Sequence, residues 1–260
     1  MNVRRVGWRP IPLLVLVLGA ALGSLSRADA ITLVPERALQ PPSVRHPFGF
    51  GEGGVDLTAA IVRGVWGSLV LAAVASAIGL GVGVALGALA GFRGGRAERA
   101  LSRALDTVQA LPSFFVALAL LAMVREPSRL HLGLVFAATA WAPFARLALA
   151  ETRVLRGAAF VEASRALGRS ELGTLIRHVV PQLLPLALVQ LGASAAAVVI
   201  GETGLSFLGF VALTGAPSLG RLLEQGVTTM LVAPHVLVAS AGAVLLTNAA
   251  LLLATGSRAR

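Results

Sequence analysis

Apolar stretches long enough to cross a bilayer recur along this chain, and they constrain its fold more than any other feature. They cover about 11–25, 65–91, 105–124, 131–150, 179–201 and 233–255. A membrane-spanning α-helix needs about 20 such residues, whereas a transmembrane β-barrel would show short segments of alternating polarity. Only 13% of the residues are charged, about half the share in a soluble domain. The sequence therefore predicts an all-α polytopic membrane protein with about six transmembrane helices.

The first apolar stretch follows three arginines and allows two interpretations. Residues 1–25 form either a retained N-terminal transmembrane helix or a signal peptide, cut at the small-x-small sequence of residues 28–30. Residues 26–64 are polar and rich in Pro and Gly, and we assign them to the extracytoplasmic side. The five later stretches form a membrane core over residues 65–255.

The arginines indicate how the chain is oriented in the membrane. The net charge is +10, and all 22 strongly basic side chains are Arg. They gather at the ends of the apolar stretches, which is typical of topology signals and lipid headgroup contacts and not of nucleic-acid binding. With six spans, fifteen Arg lie on the side of the two termini and seven on the other. The positive-inside rule then places both termini, the long connection 151–178 and a short loop over 91–103 in the cytoplasm.

The residues that usually carry chemistry are absent or scattered. There is no cysteine, and the four histidines are far apart, so we expect no disulfide, metal site, cofactor or catalytic residue. An ion-coupled secondary transporter is the alternative function. That class usually places carboxylates in the middle of its spans and shows inverted repeats, and the sequence has neither.

Glycines are dense in the second apolar stretch. Gly79, Gly83 and Gly87 recur every four residues, and Gly81 lies between them. Small residues at this spacing let a neighbouring helix approach closely. The pattern predicts tight packing of this face, either within the chain or against a second membrane subunit.

The long cytoplasmic connection has the pattern of two short helices. One face of the first helix carries Phe160, Ala163, Ala166 and Leu167. Gly168 is placed to end that helix, and Ser170 to cap the next one. A flexible linker would instead be Gly/Ser-rich or acidic.

The same connection contains Glu162-Ala163-Ser164 followed by Gly168 and, thirteen residues later, Pro181. It resembles the Glu-Ala-Ala-x-x-x-Gly loop of the membrane permease subunits of binding-protein-dependent ABC importers. Ser164 stands where that loop has its second alanine.

Further strings are similar to the peptide/nickel branch of that family, and most of all to the second of the two permeases of a dipeptide or oligopeptide importer. They occur in the family's order, over roughly residues 44–250. They are His46-Pro47-Phe48-Gly49, Asp106 with Leu111-Pro112-Ser113, and Glu202 with Leu205-Ser206-Phe207-Leu208-Gly209. The chain departs from the family at Phe50-Gly51 and Val55, where Thr-Asp and Arg are usual.

The resemblance implies a type I ABC importer permease (MetI-like) fold in the bacterial cytoplasmic (inner) membrane. The chain would form half of the translocation pathway for peptides or a related small solute such as nickel. The implied partners are a second permease subunit or a second copy, two ATP-binding subunits, which supply the energy, and an extracytoplasmic solute-binding protein. The residues implied to couple to the ATPase are Glu162, Ala163, Ser164, Gly168 and Pro181.

Polar residues at membrane depth are candidates for the translocation path, because such side chains usually face protein or water. They are Gln190, Ser194 and Asn248, and for Asn248 an interhelical hydrogen bond is the alternative. Glu202 is expected to form an outer gate or a binding-protein contact, or else to anchor the segment 203–232. Asp106 is expected to form an ion pair with the nearby Arg103.

Overall fold

The computed structural model describes residues 11–26, 33–125, 127–210 and 217–255, and α-helices dominate these ranges. The bounds are α1 Ile11–Ser26, α2 Leu57–Arg93, α3 Gly95–Ala110, α4 Ser113–Ala122, α5 Arg129–Leu155, α6 Ala159–Ala166, α7 Glu171–Thr174, α8 Val180–Phe207, α9 Leu219–Thr228 and α10 Pro234–Thr255. The described residues contain no β-strand, only one isolated bridge between Phe50 and Asp56. The all-α prediction is confirmed. The predicted cleavage site at residues 28–30 lies outside the described residues.

Four helical segments are long and apolar enough to cross a membrane: α2, α5, the continuous run Glu171–Phe207, and α10. The bent pair α3 and α4 makes a fifth span if it is counted as one. The sixth predicted span corresponds to α1, whose apolar part Leu13–Gly23 is shorter than this length. The described residues thus form a polytopic helical membrane protein with a broken third span.

The break in the third span corrects the expectation of one helix over 105–124. α3 ends at Ala110, α4 begins at Ser113, and their axes differ by 71°. Leu111 has an extended backbone (φ −98°, ψ 128°), as expected for a residue before proline. The Leu111-Pro112 pair therefore ends α3 where apolar composition alone predicted continuity.

The connection at 91–103 is not a loop, which corrects a second expectation. α2 continues to Arg93, and α3 begins at Gly95. Gly94 has φ 67° and donates its N–H to the carbonyl of Ala90 at 2.9 Å. Gly95 also has a positive φ, 59°. Glycine adopts this conformation at little cost, so the two glycines separate α2 from α3.

The glycine face of α2 packs against α5 within the chain. A Cβ at Gly79, Gly83 or Gly87 would lie less than 3.0 Å from atoms of α5, including its backbone. Gly81 points elsewhere, with nothing within 4 Å. The intrachain interpretation is confirmed for the three glycines that share this face. They allow α2 and α5 to pack closely.

The His46-Pro47-Phe48-Gly49 segment folds over the outer end of α2. Asp56 is the N-cap of α2, and its carboxylate accepts hydrogen bonds from the backbone N–H of Thr58 (2.8 Å) and from His46 Nδ1 (2.9 Å). The His46 ring also lies against the Phe50 ring, with centroids 4.5 Å apart. The motif thus holds the segment before α2 on the N-cap residue of that helix.

Candidate functional site

The long cytoplasmic connection forms the predicted helix pair. Val161 of α6 is fully buried and belongs to an apolar cluster with Phe92 of α2 and Leu175. Ser164, one turn later, is also buried, and its Oγ lies 2.9 Å from Oγ1 of Thr174. A hydroxyl pair therefore joins the two short helices at the position where the family motif has alanine.

Gly168 ends α6 and Ser170 begins α7, as the sequence predicts. Gly168 has φ +79°. The N–H of Arg169 donates to the carbonyl of Ser164 (3.2 Å), and the N–H of Gly168 to that of Arg165 (2.9 Å), which is the Schellman pattern. Ser170 Oγ then accepts from the N–H of Gly173 at 3.2 Å. The turn requires a positive φ, which explains the glycine.

The apolar side of α6 points away from the rest of the chain. Phe160 and Ala163 are exposed, and Leu167 is 88% exposed. Leu172 of α7 and Ile176 of the turn that follows are further exposed apolar side chains, at 56% and 58% exposure. We call these five residues the coupling surface. An amphipathic helix normally buries its apolar side, and an exposed apolar patch of this kind marks an interaction site.

Arg165 fixes the orientation of the helix pair. Its Nε lies 3.0 Å from Oε1 of Glu171, and its Nη2 donates to Oε2 at 3.1 Å. The guanidinium also stacks on Phe92, 5.3 Å from the ring centroid. A half-exposed ion pair contributes little stability by itself, but the bidentate geometry and the stacking hold α6 and α7 against the cytoplasmic end of α2.

Pro181 marks a local widening of the helix that leads from the coupling surface into the membrane. Residues Leu175–Val179 form a π-helical turn, in which the N–H of Val180 bonds the carbonyl of Leu175. Proline cannot donate a hydrogen bond, and in a regular α-helix its ring clashes with the carbonyl four residues earlier. The wide turn directly before Pro181 accommodates it, so that helical structure is unbroken from Glu171 to Phe207.

The three predicted pathway residues have separate environments, and no hydrogen bond between any two of them occurs in the described part of the chain. Ser194 is buried, and its Oγ accepts from Ser76 of α2 at 3.1 Å. Asn248 donates to the carbonyl of Val244 in its own helix at 2.9 Å, while its Oδ1 is buried without a partner. Gln190 is half-buried. Their place in the pathway stays a prediction.

Glu202 lies inside the helix bundle, 2% exposed. Its carboxylate accepts a hydrogen bond from Ser68 of α2, and the positive charge of Arg129 acts on it. Arg129 in turn donates to the carbonyl of Pro217 at 3.1 Å. These contacts favour the anchoring alternative, because a direct contact with a binding protein would require the helices around Glu202 to separate.

Asp106 forms an ion pair, but with a different partner from the one expected. Arg146 of α5 reaches across to α3, where its Nη2 lies 2.8 Å from Oδ1 of Asp106 and its Nε 2.6 Å from Oε1 of Gln109. In the described part of the chain, Arg103 forms no ion pair with Asp106. A lone arginine within the apolar stretch 131–150 was the signal in the sequence for this site.

Comparison with known proteins identifies the family. Residues 83–256 match the family described as binding-protein-dependent transport system inner membrane component. The chain is 31% identical over 199 residues to the oligopeptide transport system permease protein OppC of Mycobacterium tuberculosis, covering 76% of this chain and 68% of that protein. It is 30% identical over 212 residues to the glutathione transport system permease protein GsiD of Pectobacterium atrosepticum, covering 82% and 70%.

A second GsiD protein, from Shigella flexneri, is 33% identical over 206 residues, covering 79% of this chain and 68% of that protein. The family match covers most of the membrane core, and it includes α5, the coupling surface, α8 and α10. The chain therefore belongs to the family of inner-membrane permease components of binding-protein-dependent ABC importers.

Proposed function

We propose that this permease forms half of an ATP-driven import pathway for peptides or a related small solute, and that the coupling surface docks on an ATP-binding subunit. The relatives named for oligopeptide and glutathione transport support a peptide-like cargo; nickel is the other solute that the sequence suggested. Because the chain belongs to this permease family, we no longer consider the alternative function, an ion-coupled secondary transporter.

The coupling surface is the observation that carries this proposal. One side of α6 is held in the chain by Val161 and Ser164, while the other presents Leu167 almost fully to solvent. Glu162 and Ala163 lie exposed beside it. Small and apolar residues allow a close helix contact, and the Glu162 carboxylate can accept charge-assisted hydrogen bonds from a basic partner.

The helix from Glu171 to Phe207 is the proposed route of coupling. The turn at Gly168 fixes α6 on α7, and Arg165 fixes both on α2. Because the helix continues through the π turn at Pro181, a shift of the coupling surface would tilt the fifth span as one body. This gives Gly168 and Pro181 roles in transmission and Ser164 a role in holding the pair together.

The proposed assembly contains a second permease subunit or a second copy of this chain, two ATP-binding subunits and an extracytoplasmic solute-binding protein. The membrane core of a single chain supplies only half of a pathway. With the coupling surface on the cytoplasmic side, the N- and C-termini are cytoplasmic, in agreement with the arginine distribution.

The docking step is tested with Leu167→Asp. Leu167 makes little contact within the chain, so its replacement should leave the fold intact and disrupt the contact with the ATP-binding subunit. Leu231→Asp is the matched control, since Leu231 is also exposed (91%) and lies between α9 and α10. We expect the ATP-binding subunit to co-purify with the control and not with Leu167→Asp. Equal co-purification would contradict the docking role.

The transmission step is tested with Gly168→Val. A β-branched residue at φ +79° is strained by about 1–3 kcal/mol, although nothing lies within 4 Å of the site. Gly209 shares these properties, with φ +78° and open space, so Gly209→Val is the control. We expect ATP hydrolysis to continue without uptake in Gly168→Val only. Full-rate uptake by that variant would refute coupling through this turn.

A further inference from the structure

Arg146 lies well inside the hydrocarbon layer. The apolar stretch 131–150 contains it, and at 1.5 Å per residue Arg146 is roughly 8 Å from the middle of that stretch. Half of the hydrocarbon core is about 15 Å. An arginine at this depth requires either a polar protein environment or water.

The side chain does not extend toward the cytoplasmic boundary. Side chains on a helix lean toward its N-terminus, and in α5 this direction leads deeper into the membrane. The guanidinium accordingly bonds both Gln109 and Asp106, and Gln109 lies three residues before the break at Pro112. The three side chains form a polar cluster that joins α3 to α5.

This cluster is open on one side. The side chains of Arg146 and Asp106 are 45% and 67% exposed, and Gln109 is exposed as well. A charged side chain that faces lipid at this depth costs about 2.5–3.5 kcal/mol even by the lowest scales. The open side of the cluster therefore faces water or polar groups of a neighbouring subunit, and not lipid.

The broken third span supports the same conclusion independently. Every residue from 106 to 113 is exposed, including the non-helical pair Leu111-Pro112 near the middle of the apolar stretch 105–124. Backbone that leaves its helix at membrane depth is tolerated only where it is buried in protein or lines a water-filled cavity. Here it is not buried within the chain.

We propose that the α3–α5 face, with Asp106, Gln109 and Arg146, is the wall of the translocation pathway in the assembled transporter. The proposal rests on the permease function and specifies where the solute passes. A guanidinium, a carboxylate and an amide side by side offer both donors and acceptors. Such a wall suits a zwitterionic, hydrogen-bonding solute such as a short peptide better than a bare metal cation.

The absence of cysteine from the sequence makes a direct test available. Gln109→Cys and, as a second site on the same exposed segment, Thr107→Cys would be made in the transporter co-expressed with its partner subunits. Leu86→Cys is the matched control: Leu86 is exposed, and its neighbour Gly87 packs on Ala145, so it lies at the depth of Arg146 on another face. The probe is a charged, membrane-impermeant thiosulfonate.

We expect both pathway cysteines to react about tenfold faster than Leu86→Cys or more, because thiolates form in water and not in hydrocarbon. Equal rates at all three sites would place this depth in the headgroup region and overturn the proposal. So would unreactive pathway cysteines in both the resting and the nucleotide-bound complex. If the proposed permease function itself were wrong, the ATP-binding subunit would not co-purify with the chain. This outcome is separate from the cysteine reaction rates.

Discussion

The carboxylate of Asp56 makes two structural contacts. It caps α2, and it receives the His46 side chain of the outer segment. Burial raises the pKa of Asp56, but the hydrogen bonds from His46 and from Thr58 lower it, and the net pKa lies below the ordinary value of 3.8. The His-Pro-x-Gly motif, which the sequence showed only as a family string, is thus bound to the N-cap of α2 through His46.

We predict that Asp56→Ala destabilises the protein by about 0.5–2 kcal/mol, the usual range for a lost N-cap. Asp56→Asn should lose less stability, because asparagine is also a good N-cap residue and only the negative charge is removed. Thermal unfolding of the detergent-purified variants measures both. If Asp56→Ala unfolds at the wild-type temperature, the cap does not stabilise α2.

The same pair gives a pH prediction. A carboxyl group whose pKa is lowered by folding contributes stability above its unfolded pKa, and this contribution is lost as the pH falls through the folded value. The stability difference between wild type and Asp56→Asn should therefore be constant near neutrality, begin to shrink as the pH approaches 3.8, and vanish only below the lowered folded pKa. A difference that grows as the pH falls would contradict the lowered pKa.

At the scale of elements, the contact of α2 with α5 determines the core. Gly79, Gly83 and Gly87 let the two helices approach so closely that even one Cβ would meet α5. Interiors of this density have no room for added atoms. Gly81, between them, faces open space.

We predict that Gly83→Leu disrupts this packing, with a loss of at least about 1–3 kcal/mol, and that Gly81→Leu is tolerated. Both substitutions add the same side chain to the same apolar helix, so insertion into the membrane is matched. The yield of folded protein and the unfolding temperature in detergent report the difference. Equal stability of the two variants would mean that the glycine face is not packed as described.

Helix ends that depend on contacts within one helical turn could be predicted from the sequence, whereas features that depend on contacts between helices could not. Gly168 and Ser170 end and begin helices through contacts within one turn, and the sequence predicted both. The reversal at Gly94 and the pairing of Arg146 with Asp106 depend on which helices become neighbours. Hydropathy alone therefore merged α3 and α4 into one span, although Pro112 was visible in it.

For the whole molecule, the order of the helices places two membrane crossings, α8 and α10, between the coupling surface and the end of α10. The coupling surface precedes α8, α9 follows it, and α10 returns. Two crossings return the chain to its starting side, so the coupling surface and the end of α10 lie on the same side of the membrane. The arginine distribution predicts that this side is the cytoplasm.

We predict that a reporter fused after Arg260 is active only in its cytoplasmic form, whereas a truncation fusion after Met230, before α10, is external. Paired fusions to a fluorescent protein and to alkaline phosphatase measure this. An external signal from the Arg260 fusion would overturn the six-span topology.

The unbroken helix from Glu171 to Phe207 has a mechanical consequence. Its 37 residues span at most roughly 55 Å at 1.5 Å per residue. Over that length, a tilt of only about 5° displaces the far end by roughly 5 Å, which is close to one helical turn. The residue at that end is Phe207, just beyond the Glu202 anchor. If the segment tilts as one body, a small rotation at Glu171 is thus amplified into a movement of several Å at Phe207.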